Sequence, residues 1–351
     1  MTKRIVYLGS YANVDSSGVY VCEFDESTGE LSLLDSYGGL QNPTFLAVHA
    51  ESRKLYAIHE LAGADGAKRG AVAAFDIDAA HRLSLLNIEE TTPAPTCHIE
   101  LDRSRACLMV ASYHGGLVGV SPIAPDGRVG PASDLHRHEG SSVLPVQDRP
   151  RAHSTTVDRR NAFAVVCDLG ADRIVTYRLD AAGGKLARVS DVAVAPGAGP
   201  RHFAFHPSNA YGYVINELNA TITAFAYDET TGGLREIQTL PTLPPNYGGD
   251  NACADIHLSP DGRFLYGSNR GHDSIVVFRV EADGRLSPLG HTSVSGKHPR
   301  NFALSPDGAF LLAANRDTDD VVVFRRDADT GGLSEPVHRL SVSKPVCVKF
   351  L

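Results

Sequence analysis

The chain has 351 residues, with 33 Lys and Arg against 41 Asp and Glu, which gives a formal net charge of −8. This acidic balance disfavours nucleic acid as a partner, because phosphate backbones are bound by basic surfaces. No apolar run is long enough to span a membrane, and the start MTKRIVYLGS lacks the apolar core and small-residue cleavage site of a signal peptide, so a soluble cytoplasmic protein is expected.

A pattern that returns roughly every 50 residues predicts the fold, since a period of this size is typical of repeat architectures. Each unit opens on an apolar stretch, led by proline in six of the seven cases, and continues with a second β-type run that ends in a polar residue. Only the fifth opening, NACADIHLSPDG, lacks the proline. The seven openings begin at Asn42, Ala94, Arg149, Gly199, Asn251, His298 and Lys344.

Four short strands are predicted in each unit. The second runs, such as KLYAIHE and AFLLAANR, are rich in the aromatic, aliphatic and β-branched residues that suit a half-buried pleated surface. Third runs such as RIVTYRLD and SIVVFRVE show alternation, and a polar turn with glycine then leads into a short fourth strand.

The two ends of the chain complete one another. Segments 4–11, 18–25 and 31–37 match the second, third and fourth strands of a unit that has no first strand, whereas KPVCVKFL at the far end matches a first strand alone. Joined in one sheet, they close a ring and leave few sheet edges exposed. The sequence therefore predicts an all-β seven-bladed β-propeller, with four antiparallel strands per blade and a single domain over residues 1–351.

Equivalent positions of the blades can be compared within the one sequence. The ends of the second strands form a column that is polar or aromatic throughout: Tyr11, Glu60, Tyr113, Asp168, Glu217, Arg270 and Arg316. The residues after the opening proline form another, with three arginines: Thr44, Thr96, Arg151, Arg201, Cys253, Arg300 and Val346. Two residues further on, His98, His153 and Asp255 stand where the other blades place hydrophobes. Because first strands line the central channel of a propeller, we expect these groups to share one mouth of that channel.

The residue types in these columns indicate the chemistry. The planar fork of arginine suits a carboxylate or a phosphate, so the expected ligand is a small anion. A nearby carboxylate or imidazole can act as general base, and arginines can stabilise an oxyanion or enolate. No G-x-S-x-G elbow, HExxH, Walker loop or helix-opening GxGxxG is present, which disfavours covalent serine catalysis and nucleotide binding. The six cysteines show no CxxC spacing and are expected to serve packing.

Five stretches, in this order, are similar to one known family. They are PRAHS around His153, DLGADRIVTYRLD from Asp168, GPRHFAFHP around Arg201, VINELNATITAF around Glu217 and DIHLSPDGRFLYGSNRGHDSI around Arg270. They resemble the seven-bladed propeller lactonases, which include bacterial 6-phosphogluconolactonases of the propeller type and fungal 3-carboxy-cis,cis-muconate lactonizing enzymes. The resemblance covers essentially the whole chain and implies a site of His153, Arg201, Glu217 and Arg270. Arg151 stands where the family commonly has a histidine.

The first functional hypothesis is a lactonase that adds water to the ring carbonyl of 6-phospho-D-glucono-1,5-lactone, a step of the pentose phosphate pathway. Glu217 or His153 is the expected general base, and Arg201 and Arg270 are expected to bind the substrate anion and stabilise the oxyanion. The expected substrate-binding residues are Arg151, Arg300, Asp255 and His98. No metal or other cofactor is expected, because these lactones are already activated and one positioned base supplies about 10²–10⁴-fold. The expected assembly is a monomer or a small homo-oligomer.

Two further hypotheses remain open at this point. A muconate-type lactonizing enzyme or an aldarolactone hydrolase would use the same groups on another substrate. A non-catalytic propeller would instead serve as an interaction platform, but the chain has no Trp and only 7% aromatic residues, whereas binding hot spots of protein interfaces favour Trp, Tyr and Arg.

Overall fold

A computed structural model describes residues 3–63 and 65–351, so Met1, Thr2 and Ala64 of the predicted domain lie outside the described residues. The described residues form 28 β-strands and one 3₁₀-helix, Pro145–Gln147, and the strands make up seven four-stranded antiparallel sheets. No helix in this part of the chain has the length and hydropathy needed to cross a membrane.

The strands are numbered in chain order. The chain starts with β1 (Lys3–Ser10), β2 (Val19–Asp25) and β3 (Leu31–Tyr37). The first complete blade holds β4 (Leu46–His49), β5 (Lys54–Ala62), β6 (Lys68–Ile77) and β7 (Leu83–Thr92). The second holds β8 (His98–Leu101), β9 (Cys107–Ser112), β10 (Leu117–Pro122) and β11 (Asp134–Arg137). The third holds β12 (Ala152–Val157), β13 (Phe163–Asp168), β14 (Arg173–Asp180) and β15 (Lys185–Ala193).

The remaining blades follow the same order. The fourth holds β16 (Pro200–Phe205), β17 (Tyr211–Asn216), β18 (Thr221–Asp228) and β19 (Gly233–Pro241). The fifth holds β20 (Ala252–Leu258), β21 (Phe264–Arg270), β22 (Ser274–Val280) and β23 (Leu286–Ser293). The sixth holds β24 (Pro299–Leu304), β25 (Phe310–Asn315), β26 (Asp320–Arg326) and β27 (Leu333–Ser341), and the chain ends with β28 (Pro345–Phe350).

Both ends of the chain build the closing blade. Its strand order is β28-β1-β2-β3, and β28 pairs antiparallel with β1 from Val6 opposite Phe350 to Ser10 opposite Pro345. The first strands of successive blades contact one another around the ring, and β28 contacts both β24 and β4. The predicted seven-bladed propeller, closed by the two termini, is confirmed.

Tyrosines in the second strands fasten neighbouring blades together. The hydroxyls of Tyr56, Tyr213 and Tyr266 donate to the carbonyl oxygens of Gly127, Gly284 and Gly331 at 3.1, 3.1 and 2.8 Å. Each glycine sits in a turn of the following blade with a positive φ of 92°, 80° or 76°, a conformation that other residues rarely adopt. In these blades the repeat therefore supplies both a buried tyrosine and the glycine carbonyl of the following blade to which it bonds. These hydrogen bonds link neighbouring blades.

Candidate active site

A cavity of about 310 Å³ opens at the end of the channel where the first strands begin and the second strands end. Its walls come from five blades and from the closing blade. The lining residues are Tyr11, Thr44, Glu60, Pro95, Thr96, Cys97, Tyr113, His114, His153, Glu217 and Arg300. Three of the predicted site residues therefore face one cavity: His153, Glu217 and Arg300.

β-Bulges in the first strands deliver three of the functional side chains. The pairing register shifts between Ala152 and Ser154, between Pro200 and His202, and between Pro299 and Asn301. The extra residues at these three shifts are His153, Arg201 and Arg300. Because a bulge breaks the alternation of a strand and re-aims a side chain, three blades with the same fold can turn three different polar groups toward the channel.

The structure corrects the predicted alignment of the third blade. The backbone N–H of Glu217 donates to the carbonyl of Gly199, and in the third blade the matching bond joins Leu169 to Arg151. Leu169, and not Asp168, is therefore the counterpart of Glu217, and His153, and not Arg151, is the counterpart of Arg201 and Arg300. The sequence comparison placed the prolines opposite one another, although this blade carries its proline two residues earlier in the repeat, where Ala152 takes the place of Pro200.

Asp168 has a structural role that follows from this corrected position. Its buried carboxylate accepts hydrogen bonds from the backbone N–H groups of Arg151, Gly170 and Ala171 at 2.8, 3.0 and 3.1 Å, and its other oxygen lies 2.8 Å from His138 Nδ1. These bonds fix the turn after β13. The carboxylate of Asp168 is therefore occupied by backbone N–H groups and His138, and Asp168 does not line the cavity.

Glu217 is held by two buried arginines. Its Oε2 lies 2.9 Å from Arg201 Nε and 3.0 Å from Arg270 Nη2, and Arg201 is only 2% exposed. The Arg201 N–H is not aligned with that oxygen, so this contact is an ion pair without hydrogen-bond geometry. Burial by itself raises the pKa of Glu217, but the charges of Arg270, Arg201 and Arg300 outweigh it and lower the pKa below its ordinary value. Glu217 is therefore a fixed anion and a weak base.

Arg201 and Arg270 are further anchored by backbone carbonyls of β20. Arg270 donates from Nε to Ala252 at 3.0 Å and from Nη2 to Cys253 at 2.7 Å, and Arg201 donates from Nη1 to Ala254. These contacts hold both guanidinium groups beside Glu217, which lines the cavity, whereas Arg201 and Arg270 are not among the lining residues.

Arg300 differs from these two arginines because it forms no ion pair with any described residue. It is half-buried, lines the cavity and lies over the ring of Tyr11, with Cζ 5.8 Å from the ring centroid. Tyr113 lines the cavity as well, and burial, opposed by the charge of Arg151, raises the pKa of its phenol, so the hydroxyl is a hydrogen-bond donor at neutral pH. Arg300 is thus the cation of this cavity that is available to an anionic ligand.

His153 is a neutral imidazole at the inner end of the cavity. Burial, and then the charges of Arg201, His202 and Arg300, lower its pKa well below 6.5. Its Nδ1 is buried and has no hydrogen-bond partner within the described residues. A neutral imidazole keeps a lone pair on one ring nitrogen and can accept a proton from water.

Arg151 stands at the edge of the mouth. Its Nε donates to the carbonyl of Val146 at 2.5 Å, and its Nη2 lies 2.9 Å from Asp148 Oδ1. Its guanidinium also lies 4.9 Å from the centroid of the Tyr113 ring. Arg151 thus packs against Tyr113, which lines the cavity, and its charge is paired with Asp148.

His98 and Asp255 lie deeper in the channel, around a second cavity of about 270 Å³ that opens at the other end of the ring. His98, His202 and Asn301 pair with Ala111, Ile215 and Ala314, each the penultimate residue of its second strand, so they share one layer below that of His153. Asp255 joins this layer by contacting His202 Nδ1 at 2.7 Å. The structure thus divides the predicted site residues between two layers.

Two channel residues were missed by the sequence comparison. His202 follows Arg201 directly and lies in the lower layer with His98, and its ring centroid is 5.3 Å from those of both His153 and His98. Cys97 precedes His98 and lines the upper cavity, but burial raises the pKa of its thiol to about 11. A bulge that directs two successive residues inward could have been suspected at Arg201-His202, since both are polar in an otherwise apolar strand. Within the described residues, no group of three His, Cys, Asp or Glu side chains is placed to hold a metal ion.

Comparison with known proteins identifies the family. Residues 5–350 match the family model described as lactonase, 7-bladed beta-propeller. The chain therefore belongs to the lactonase family of seven-bladed β-propellers, and as a member it is a lactone-hydrolysing enzyme, a carboxylic ester hydrolase.

Named relatives agree with this assignment. The chain is 38% identical to the 6-phosphogluconolactonase of Bacillus subtilis over 353 residues, which cover 100% of this chain and 99% of the relative. It is 33% identical over 307 residues to a 6-phosphogluconolactonase of Formosa agariphila, with 85% of both chains covered. The solved structure of the periplasmic gluconolactonase PpgL of Pseudomonas aeruginosa superposes with a TM-score of 0.93 at 30% identity and covers 100% of this chain and 99% of that one.

Proposed function

We propose that the protein hydrolyses an anionic sugar-acid lactone and that its substrate is 6-phospho-D-glucono-1,5-lactone. The observation that carries this proposal is the guanidinium of Arg300, which forms no ion pair with any described residue, in the same cavity as the neutral imidazole of His153. A cation without a protein partner suits the phosphate of the substrate, and a neutral imidazole suits the activation of water. The names of the Bacillus and Formosa relatives support the same substrate.

The charges of the site favour a substrate with more than one negative charge. Arg201, Arg270 and Arg300 carry three positive charges, and Glu217 supplies one negative charge among them. The cluster is therefore left with a net charge of about +2, which a phosphate monoester dianion balances. An uncharged lactone leaves this charge uncompensated in a narrow cavity.

In the proposed reaction His153 takes a proton from a water molecule as the water oxygen adds to the ring carbonyl. The carbonyl oxygen becomes an oxyanion, which the charges of Arg201 and Arg270 and the hydroxyl of Tyr113 stabilise. When the tetrahedral intermediate collapses, the bond from carbon to the ring oxygen breaks and protonated His153 returns its proton to that oxygen. The product is the open-chain acid, which ionises to the carboxylate.

Glu217 has a different part in this proposal from the one first considered. Its Oε2 is ion-paired with both Arg201 and Arg270, whereas the neutral ring of His153 forms no ion pair with any described residue, so we assign the base to His153. Glu217 instead fixes Arg201 and Arg270 beside the cavity. A role in the pentose phosphate pathway, a cytoplasmic location and a monomer or small homo-oligomer remain predictions from the sequence.

The test is a timed assay on 6-phosphogluconolactone prepared immediately before use, read out as formation of 6-phosphogluconate above the spontaneous rate. Glucono-1,5-lactone, glucarolactone, galactarolactone and 3-carboxy-cis,cis-muconate are assayed beside it, with and without a chelator. We expect the highest kcat/KM for the phosphorylated lactone in both conditions. Faster turnover of an aldarolactone or of the muconate would replace the substrate assignment, and no turnover of any lactone would contradict the proposal.

Arg300→Gln tests the phosphate contact directly. Losing a charge-assisted hydrogen bond costs about 1.5–3 kcal/mol, so kcat/KM for the phosphorylated lactone should fall by roughly 10- to 150-fold. The value for glucono-1,5-lactone should change by less than about 3-fold, because that substrate has no phosphate. Arg285→Gln, at an arginine 53% exposed beside Asp283, is the matched control. Equal losses of kcat/KM for both lactones would show that Arg300 does not bind the phosphate.

A further inference from the structure

Asp255 is a buried carboxylate whose two oxygens have different partners. Oδ1 lies 2.7 Å from His202 Nδ1. Oδ2 accepts from His257 Nε2 at 2.9 Å, from the side-chain amide of Asn301, and from the backbone N–H of Phe302 at 3.3 Å. Burial by itself raises the pKa of Asp255, but His257 and His202 outweigh it and hold the pKa well below its ordinary value. The group is therefore a fixed acceptor with a hydrogen-bond partner on each oxygen.

This carboxylate determines which nitrogen of His202 carries the proton. An ionised carboxylate only accepts hydrogen bonds, so Nδ1 of His202 must be the protonated nitrogen. Burial and the charge of Arg201, opposed by Asp255, lower the pKa of His202 to about 4, so the ring is neutral at neutral pH and Nε2 carries a lone pair. That Nε2 lies 3.2 Å from Arg201 Nη1 and can accept its N–H.

The contacts continue from His202 to the active cavity. Arg201 donates from Nη1 to both His202 and the carbonyl of Ala254, and its Nε faces Glu217 Oε2 at 2.9 Å. The His202 ring also packs edge-on against His153 at 5.3 Å between centroids. A single buried pair thus supports one wall of the cavity and the proposed base.

From this geometry we propose that Asp255 and His202 form a positioning pair that fixes the tautomer of His202 and thereby holds the guanidinium of Arg201 against Glu217. The pair acts from the layer below the cavity and does not touch substrate, in contrast to the substrate contact first predicted for Asp255. This inference rests on the proposed lactonase site for its kinetic consequence, but the tautomer itself is independent of any substrate.

The direct test is the tautomer of His202 in the free protein, measured by long-range ¹H–¹⁵N correlation of the histidine rings and assigned with a His202→Gln variant. We expect a neutral ring with the proton on Nδ1. In Asp255→Asn, the amide oxygen should face the three donors on the Oδ2 side, which turns the NH₂ group toward His202. Nδ1 must then accept, the proton moves to Nε2, and Nε2–H faces the Arg201 N–H. A wild-type ring protonated on Nε2 would overturn the proposal, whatever the enzyme hydrolyses.

The kinetic test uses the same variant on 6-phosphogluconolactone. Displacing a preorganised cation should lower kcat by about 10²-fold with little change in KM, because Arg300 still holds the phosphate. In an Arg201→Ala background, Asp255→Asn should change kcat by less than about 3-fold, since its effect passes through Arg201. Independent, multiplying losses would contradict a positioning role.

His257→Gln is the matched control, because His257 contacts the same carboxylate from the side away from Arg201 and is 37% exposed. Its kcat should stay within about 3-fold of wild type. If Asp255→Asn does not fold, His202→Asn tests the same link, because asparagine keeps a donor for Asp255 and no longer reaches Arg201. A wild-type kcat in folded His202→Asn would refute the pair.

Discussion

The pairing of one carboxylate with two buried arginines leads to a stability prediction for Glu217→Gln. The substitution keeps the size and one acceptor oxygen but removes the negative charge. Arg201 and Arg270 are 2% and 7% exposed, so water cannot replace the lost partner at either guanidinium. Both charges then remain buried beside each other and beside Arg300.

The expected loss can be worked from the two distances. At an effective dielectric of about 20, contacts of 2.9 and 3.0 Å each represent roughly 5.5–6 kcal/mol of attraction. Most of this offsets the desolvation of the charges, and removing one partner of a buried pair leaves a net loss of about 3–5 kcal/mol. Because the glutamine oxygen still accepts one hydrogen bond, we expect the lower end, about 3 kcal/mol.

Glu60→Gln is the matched control for this prediction. The backbone N–H of Glu60 bonds to Gln41 as that of Glu217 bonds to Gly199, so the two glutamates occupy equivalent positions and line the same cavity. Glu60, however, pairs with Lys68 at 2.8 Å, and Lys68 is 65% exposed, which limits that contact to less than about 1 kcal/mol.

Urea unfolding followed by circular dichroism measures both variants. With an m-value of about 3 kcal/mol per M, Glu217→Gln should lower the midpoint by about 1 M, and Glu60→Gln by less than about 0.3 M. Equal small shifts for the two variants would show that the arginines do not depend on Glu217 and would refute the reasoning.

Three further predictions follow from burial and pairing. His153→Asn should lower kcat/KM by about 10²–10⁴-fold. Only the neutral ring of His153 accepts a proton, and its pKa lies well below 6.5, so the wild-type kcat/KM should stay constant down to pH 6.5 and fall only at lower pH. A fall centred at pH 6.5 would contradict this assignment. Burial raises the pKa of Cys97 to about 11 and that of Cys253 to about 12, so iodoacetamide at pH 8 should label these thiols in urea and leave them unlabelled in the native protein, as mass spectrometry can show. Deleting residues 345–351 should abolish cooperative unfolding, because the closing blade then loses its inner strand, whereas deleting Leu351 alone should lower the urea midpoint only slightly.

The fold could be predicted from the sequence because the repeat consists of local features, namely strand patterns and turn residues. Each blade repeats the same apolar second strand and glycine turn, so a pattern weak in one blade is supported by the others. The closing blade was predicted for the same reason, since residues 4–37 lacked a first strand and KPVCVKFL supplied one. Both inferences depend on strand periodicity and turn residues, which act within a few residues of chain.

The site was predicted less completely, because it depends on bulges. A bulge adds one residue to a strand and shifts every later position, and proline is a poor marker of where this happens. The comparison therefore matched Arg151 with Arg201 and Asp168 with Glu217, although the hydrogen bond from Leu169 to Arg151 shows the third blade to be displaced. It also gave His98 and Asp255 the same layer as His153. The residue types indicated the chemistry of the channel. The depth of each side chain in the channel, however, depends on the pairing register of its strand, which the sequence does not show.

The exception in the repeat, the fifth opening without proline, is explained by the site. Pro200 opens β16 opposite Asn216, and Cys253 occupies the corresponding place opposite Asn269. Cys253 donates its backbone N–H to the carbonyl of Glu217 at 3.2 Å, a bond that proline cannot form. The bulge that follows in β20 frees the carbonyls of Cys253 and Ala254, which accept from Arg270 and Arg201. The irregular strand β20 thus accepts hydrogen bonds from both arginines that pair with Glu217, and it donates one to the backbone of Glu217. It also places Asp255 in the layer below them. The missing proline and the bulge in this blade are therefore explained by the contacts that hold Glu217, Arg201 and Arg270.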